Sequence, residues 1–255
     1  MHEIMVIVAV GLILSLAAIQ DIRCRTVSDA NSIAICVMAA VLPFLTTDTT
    51  TAILLSFGCS CIALFMFTIE GKIGYVVLST GVAMFMAASI ITGDENHSLS
   101  SIICVLILLL YNFGLIKGGA DAKILMSLSM LFPSYDHMLN CVWVPTYPAG
   151  YIFNPIFSIL FISVILSSFS VIYIMNRGRK EGCLSIGSFP MKVSIAKEAF
   201  VWPIKDGNID YSDHAYEGLN EDQRVMVTPM IPFVLPIAIA FIIVSVMGSP
   251  LFAII

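Results

Sequence analysis

The chain has 255 residues, of which 59% are hydrophobic and 11% charged, with 12 Lys and Arg against 17 Asp and Glu and a formal net charge of −5. Its mean hydropathy is +0.99, and a soluble domain, about a quarter of whose residues are charged, could not be surfaced from so few ionic side chains. Composition therefore points to a polytopic membrane protein and excludes both a nucleic-acid binder, which needs a basic patch against phosphates, and a disordered tail.

A bilayer crossing takes about 20 apolar residues. Taken in chain order, the runs expected to cross are 4–19, 33–45, 52–69, 73–92, 99–116, 122–132, 151–175 and 231–247. Segment 122–132 is short and carries Lys123 near its start, so its status decides the topology. With the N-terminus outside and all eight segments crossing, every Lys and Arg falls on one face, which must be cytoplasmic. Were the short segment not to cross, seven of the twelve positive charges would move to the outer face. The start Met1-His2-Glu3 lacks a basic region and no small-residue cleavage site follows cleanly, so the first helix is expected to stay as an anchor.

The expected fold is an all-α polytopic membrane protein of about eight transmembrane helices, one of them short. Residues 1–175 hold the first seven helices, 176–230 form a small cytoplasmic α+β domain, and 231–255 carry the last helix. The polar stretch reads as strand-like at Met191-Lys192-Val193-Ser194-Ile195 and turn-like at Lys205-Asp206-Gly207-Asn208. Four of the seven cysteines (Cys36, Cys59, Cys61, Cys104) lie in apolar runs and read as small hydrophobic residues. Cys59 and Cys61, two apart, would point to different faces of a helix rather than form a metal pair.

Charged groups at a membrane are costly and need a reason. Asp21 closes the first helix in Ala18-Ile19-Gln20-Asp21-Ile22-Arg23-Cys24-Arg25, and Asp121 follows Lys117-Gly118-Gly119-Ala120 at the mouth of the short sixth segment. Four crossings lie between them, so both face the cytoplasm at similar depth and can meet. Two carboxylates a few ångströms apart cannot both ionise, so one holds a proton while the other stays charged, which supplies a general acid and a general base together. Such a pair can hydrolyse an amide with no covalent intermediate. Gly118 and Gly119 would let the chain unwind and a peptide approach closely. The competing explanation for each aspartate is a helix cap or a partner for Arg23 and Arg25.

Gln20-Asp21-Ile22-Arg23-Cys24-Arg25 with Asp29 downstream, together with Gly118-Gly119-Ala120-Asp121-Ala122-Lys123, resemble the two signature segments of the Gly-x-Gly-Asp membrane aspartyl proteases. Within that family the chain is most similar to the archaeal preflagellin (prearchaellin) and prepilin peptidases. Leu131-Phe132-Pro133, Val144-Pro145-Thr146-Tyr147-Pro148, the stretch from Met191 to Glu198, and Val227-Thr228-Pro229-Met230-Ile231-Pro232 look like further landmarks in the same order. The resemblance implies that Asp21 and Asp121 are the catalytic pair, with Gly118, Gly119, Ala120 and Lys123 as supporting motif residues and with no cofactor or metal. It also implies that the substrate is an archaellin or type IV pilin-like precursor, whose short basic leader is cut at the cytoplasmic membrane face. The partners are then that precursor and the lipid bilayer.

Three departures stand out. Ala120 replaces the second glycine of the strict motif; four helices separate the aspartates, two of them read as an insertion; and no paired Cys-x-x-Cys zinc module is present, so the N-methylation activity of many bacterial prepilin peptidases is not carried over.

Asp206, Asn208, Asp210 and Glu217 fall at calcium-loop spacing, but Tyr211 stands where the loop needs glycine, which favours a solvated acidic loop. Asp136, His137 and Cys141 sit in a short outer loop without further metal partners, and Asn96-His97-Ser98 is a glycosylation-type triplet expected in an outer loop. Pro155, Pro232 and Pro236 are expected to start or kink the last two helices. Two further readings compete with a protease: a proton- or cation-coupled transporter using the same aspartates, which would want them near the midplane of broken helices, and a non-catalytic subunit of a pilus or archaellum machine.

Overall fold

A computed structural model describes residues 2–24, 26–68, 71–116, 118–139, 154–180, 188–198, 201–205, 208–209, 216–229 and 233–248. Its elements run α1 (His2–Cys24), α2 (Asp29–Val41), α3 (Pro43–Thr46), α4 (Thr49–Phe67), α5 (Gly71–Thr92), α6 (Glu95–Asn112), α7 (Gly119–Leu131), a 3-10 turn (Tyr135–His137), α8 (Pro155–Lys180), β1 (Phe189–Lys192), α9 (Val193–Glu198), β2 (Val201–Lys205), β3 (Asn208–Ile209), β4 (Arg224–Pro229) and α10 (Val234–Met247). Two compact units divide the chain, one of Met1–Ser163 with Phe233–Ile255 and one of Val164–Pro232.

The first unit is a helix bundle. Five stretches are long and apolar enough to cross a membrane: His2–Cys24, Asp29–Thr46, Thr49–Phe67, Gly71–Thr92 and Glu95–Asn112. Pro155–Phe169 and Val234–Met247 are shorter apolar helices. Together they make a polytopic membrane protein with a small additional unit. Residues Ile4, Val8, Leu12, Leu16 and Ile19 form an exposed apolar ridge along α1, as a lipid-facing surface requires. Its opposite stripe, Ile7, Val10, Leu14, Ala17 and Asp21, is buried. The second expected span is interrupted: Pro43 has no amide hydrogen to continue the helix, so α2 gives way to the single turn of α3.

The short helix α7 is the most enclosed. Every residue from Ile124 to Leu131 is buried. It packs against α2 and α6, and small polar side chains stitch it to both. Cys36 Sγ lies 3.1 Å from Ser127 Oγ, Cys104 Sγ lies 2.9 Å from Ser129 Oγ, and the Ser100 hydroxyl donates to the Ser129 carbonyl. In a bilayer such interhelical hydrogen bonds replace the hydrophobic drive that lipid does not supply. The helix α4 lies close along α5 because Gly58 and Gly81 face one another.

The second unit contains a four-stranded antiparallel sheet in the order β1-β4-β2-β3. Phe189 pairs with Val227 and Trp202 with Thr228, and Phe189, Met191, Ala196, Val201 and Val227 form its core. The strand expected over 191–195 is corrected: β1 ends at Lys192, and Val193–Glu198 is a helix that buries Val193 and Ala196, three apart, while Ile195 is exposed. The β-branched run suggested a strand, but burial follows helical spacing. Of the expected turn, Asp206 and Gly207 lie outside the described residues, while Lys205 and Asn208 pair across β2 and β3.

Candidate active site

Asp21 lies in the last turn of α1, beyond the apolar run that ends at Ile19, at the end of the buried stripe. That stripe points it into the bundle, where its carboxylate Oδ2 accepts a hydrogen bond from the Val234 backbone N–H at 3.2 Å. Val234 is the first residue of α10, so the donor is one of the amides that a helix start leaves without an intrahelical partner. The aspartate also feels the positive end of that helix. The neighbouring Gln20 ties α1 to α2: its Oε1 accepts from Ser28 N–H at 3.2 Å and from Asn31 Nδ2 at 2.8 Å. Arg23, the nearer of the two arginines offered as its partner, is exposed on the helix surface. Arg25 lies outside the described residues.

Asp121 is in the first turn of α7. Gly118 is the extended N-cap residue (φ −89°, ψ 120°) and Gly119 opens the helix, which corrects the expectation that both glycines unwind the chain. The Asp121 side chain folds back over Gly118, and a Cβ there would collide with its carboxylate. Gly118 is thus required for space, not for an unusual backbone angle. A Cβ on Gly119 would sit 3.5 Å from Tyr111 Oη, an ordinary contact. Ala120 is half-buried in the same turn. Lys123 is held by Asp29 of α2, with Nζ 2.8 Å from Oδ1, and lies 4.8 Å from the centre of the Phe67 ring.

The fold brings Asp21 and Asp121, 100 positions apart, within electrostatic range of each other. One arrives from the last turn of α1 and the other from the first turn of α7, with α2 packed against both helices. Two carboxyls in such a place can divide acid and base roles, which isolated surface aspartates cannot. Sequence reasoning missed Val234, because a backbone donor leaves no side-chain signature. The prolines at 232 and 236 were the available hint that a helix start falls there.

The remaining motifs resolve differently. Asn96 is buried in the first turn of α6, so the Asn96-His97-Ser98 triplet does not lie in an exposed loop as expected. Asp136 lies in the 3-10 turn and accepts from Ser134 Oγ at 3.1 Å; Cys141 is outside the described residues. Of the calcium-spaced acids, Asp206 and Asp210 are also outside them, and Glu217 is exposed. Among the described residues no cluster of three or more His, Cys, Asp or Glu could hold a metal.

A bundle of apolar helices with a small additional unit defines a polytopic membrane protein, and two aspartates from separate helices lie within electrostatic range in it. No family model matches the chain. It is similar to the preflagellin peptidase of Methanocaldococcus jannaschii, 26% identical over 65% of this chain and 79% of that protein. It is 29% identical to the preflagellin peptidase of Methanococcus voltae over 73% of this chain and 89% of that protein. The preflagellin peptidase of Methanococcus maripaludis is 26% identical over 52% and 64%.

Proposed function

We propose that this chain is a membrane aspartyl endopeptidase that removes the short basic leader from archaellin or type IV pilin-like precursors at the cytoplasmic face, with Asp21 and Asp121 as its catalytic pair. The observation that carries the reading is that these two carboxylates, from helices far apart in the chain, lie within electrostatic range of each other. The names of the similar proteins supply the substrate class. In the proposed reaction, one ionised aspartate takes a proton from water as the water oxygen adds to the scissile carbonyl carbon. The other aspartate protonates the carbonyl oxygen. The tetrahedral adduct then collapses: the now-protonated base gives its proton to the nitrogen as the C–N bond breaks, the other aspartate takes a proton back from a gem-diol hydroxyl, and the free amine and carboxylic acid leave with both aspartates restored. No cofactor is needed for these steps.

The orientation follows from charge: an N-terminus outside gathers the Lys and Arg residues on the inner face with both aspartates and residues 176–230. A precursor's apolar helix could then stay in the bilayer while its leader reaches the pair. A transporter would draw on carboxylates at the midplane of broken helices, whereas here each aspartate occupies the terminal turn of its helix.

The test is cleavage of a tagged preflagellin by membranes that contain the wild type, Asp21→Asn or Asp121→Asn at equal abundance. Asparagine keeps the shape and removes the acid–base chemistry. Shortening by the wild type alone supports the reading. Cleavage that survives either substitution overturns it, and ion-flux assays on the same variants would then address transport.

A further inference from the structure

The two aspartates meet different surroundings. Asp21 accepts the Val234 N–H at the start of α10, while among the described residues no donor reaches the Asp121 carboxylate. Asp121 lies within the first turn of α7, whereas Asp21 lies against the start of α10 but in the last turn of α1, whose negative end opposes that pull, so the dipoles do not single out Asp21 as the ionised member. The direct hydrogen bond does. A backbone amide aimed at a carboxylate oxygen favours the ionised form and orients it.

The helix α10 carries no ionisable side chain, and on α2 Asp29 is engaged with Lys123. On α1 itself Arg23 is exposed, and α7 contributes Asp121 and Lys123.

We infer that the Val234 amide is a positioning group that keeps Asp21 as the ionised member of the pair, so that Asp21 is the base that activates water and Asp121 is the acid that protonates the scissile carbonyl. This rests on the protease reading above. It gives the first turn of α10 a part in the reaction although its side chains there are apolar. The amide does not touch the substrate; it acts through Asp21.

The experiment exchanges the Val234 N–H for an ester oxygen by incorporating the α-hydroxy analogue of valine at position 234 of the full-length protein, which leaves the side chain unchanged. The same exchange at Leu235, one residue further into the same turn, controls for damage to the helix start. Cleavage of tagged preflagellin is followed from pH 4 to 9 in membranes, with Asp21→Asn and Asp121→Asn in parallel. The expected result at 234 is a shift of the acidic limb of kcat/KM to higher pH, on the order of one pH unit for one charge-assisted hydrogen bond, with little change in KM. The Leu235 analogue should keep the wild-type profile. A profile at 234 that superimposes on the wild type, or an equal shift at both positions, overturns the inference even when both asparagine variants are inactive. Activity in either asparagine variant, or none in the wild type, defeats the protease reading instead and the inference falls with it.

Discussion

Lys123 Nζ stands 2.8 Å from the Asp29 carboxylate and so joins α7 to α2 two residues beyond Asp121. Half of the Asp29 side chain is exposed, which limits the direct worth of the pair to under about 1 kcal/mol. Its consequence lies in rotation, since turning α7 about its axis would swing Asp121 away from Asp21. Lys123→Ala, which also empties the face of Phe67, is expected to lower the rate of preflagellin cleavage by about tenfold, the cost typical of a slightly misplaced catalytic group. The thermal midpoint in detergent should change little. Lys123→Arg should retain most activity, and Asp29→Ala combined with Lys123→Ala should be no worse than Lys123→Ala alone.

Under the proposed reaction, Asp21 and Asp121 are expected to behave as one unit. Asp21→Asn and Asp121→Asn should each reduce cleavage to background, and the double variant should be no slower than either. Single-turnover rates at equal protein abundance check this. Losses that multiply would show two independent groups.

The two adjacent glycines should separate sharply. Gly118→Ala places a methyl group where the Asp121 carboxylate lies, and because that carboxylate is the end of a side chain, the chain can fold and the carboxylate moves instead. The expected outcome is normal abundance with a loss of about a hundredfold in kcat. Gly119→Ala, whose new atom meets only Tyr111 at van der Waals distance, should stay within about threefold of the wild type, helped by the better helix propensity of alanine.

The pairing of α4 with α5 offers a test of stability. A Cβ on Gly81 would fall 2.8 Å from Ile62 Cγ1 and 3.0 Å from the Gly58 carbonyl oxygen, and backbone cannot move aside as a side chain can. Gly81→Ala is therefore expected to destabilise the bundle by about 1–3 kcal/mol, seen as a lower midpoint in a thermal unfolding assay. Gly11→Ala, with nothing within 4 Å, is the matched neutral change.

The long apolar runs announced their helices because the bilayer demands them, and the two aspartates were conspicuous in such surroundings. What those runs could not announce is which face of each helix looks inward. On α1 the exposed ridge of Ile4, Val8 and Leu12 is as apolar as the buried Ile7, Val10 and Leu14, so hydrophobic periodicity is silent where lipid replaces water. Asp21 alone marked the inner stripe. The helix α7 starts at Gly119, ahead of the apolar run that opens at Ala122, since glycine reads as a breaker while the fold uses Gly118 as a cap with room for a carboxylate. The split of the 191–198 stretch into a strand and a helix depended on packing against Phe189 and Val227, partners that no local pattern reveals.

The hydrogen bond between Asp21 and Val234 spans 213 positions of sequence. During synthesis the first aspartate enters the bilayer long before its amide partner exists, and Asp121 arrives between them. An unfinished chain therefore lacks the setting that distinguishes its two carboxyls until α10 has been made.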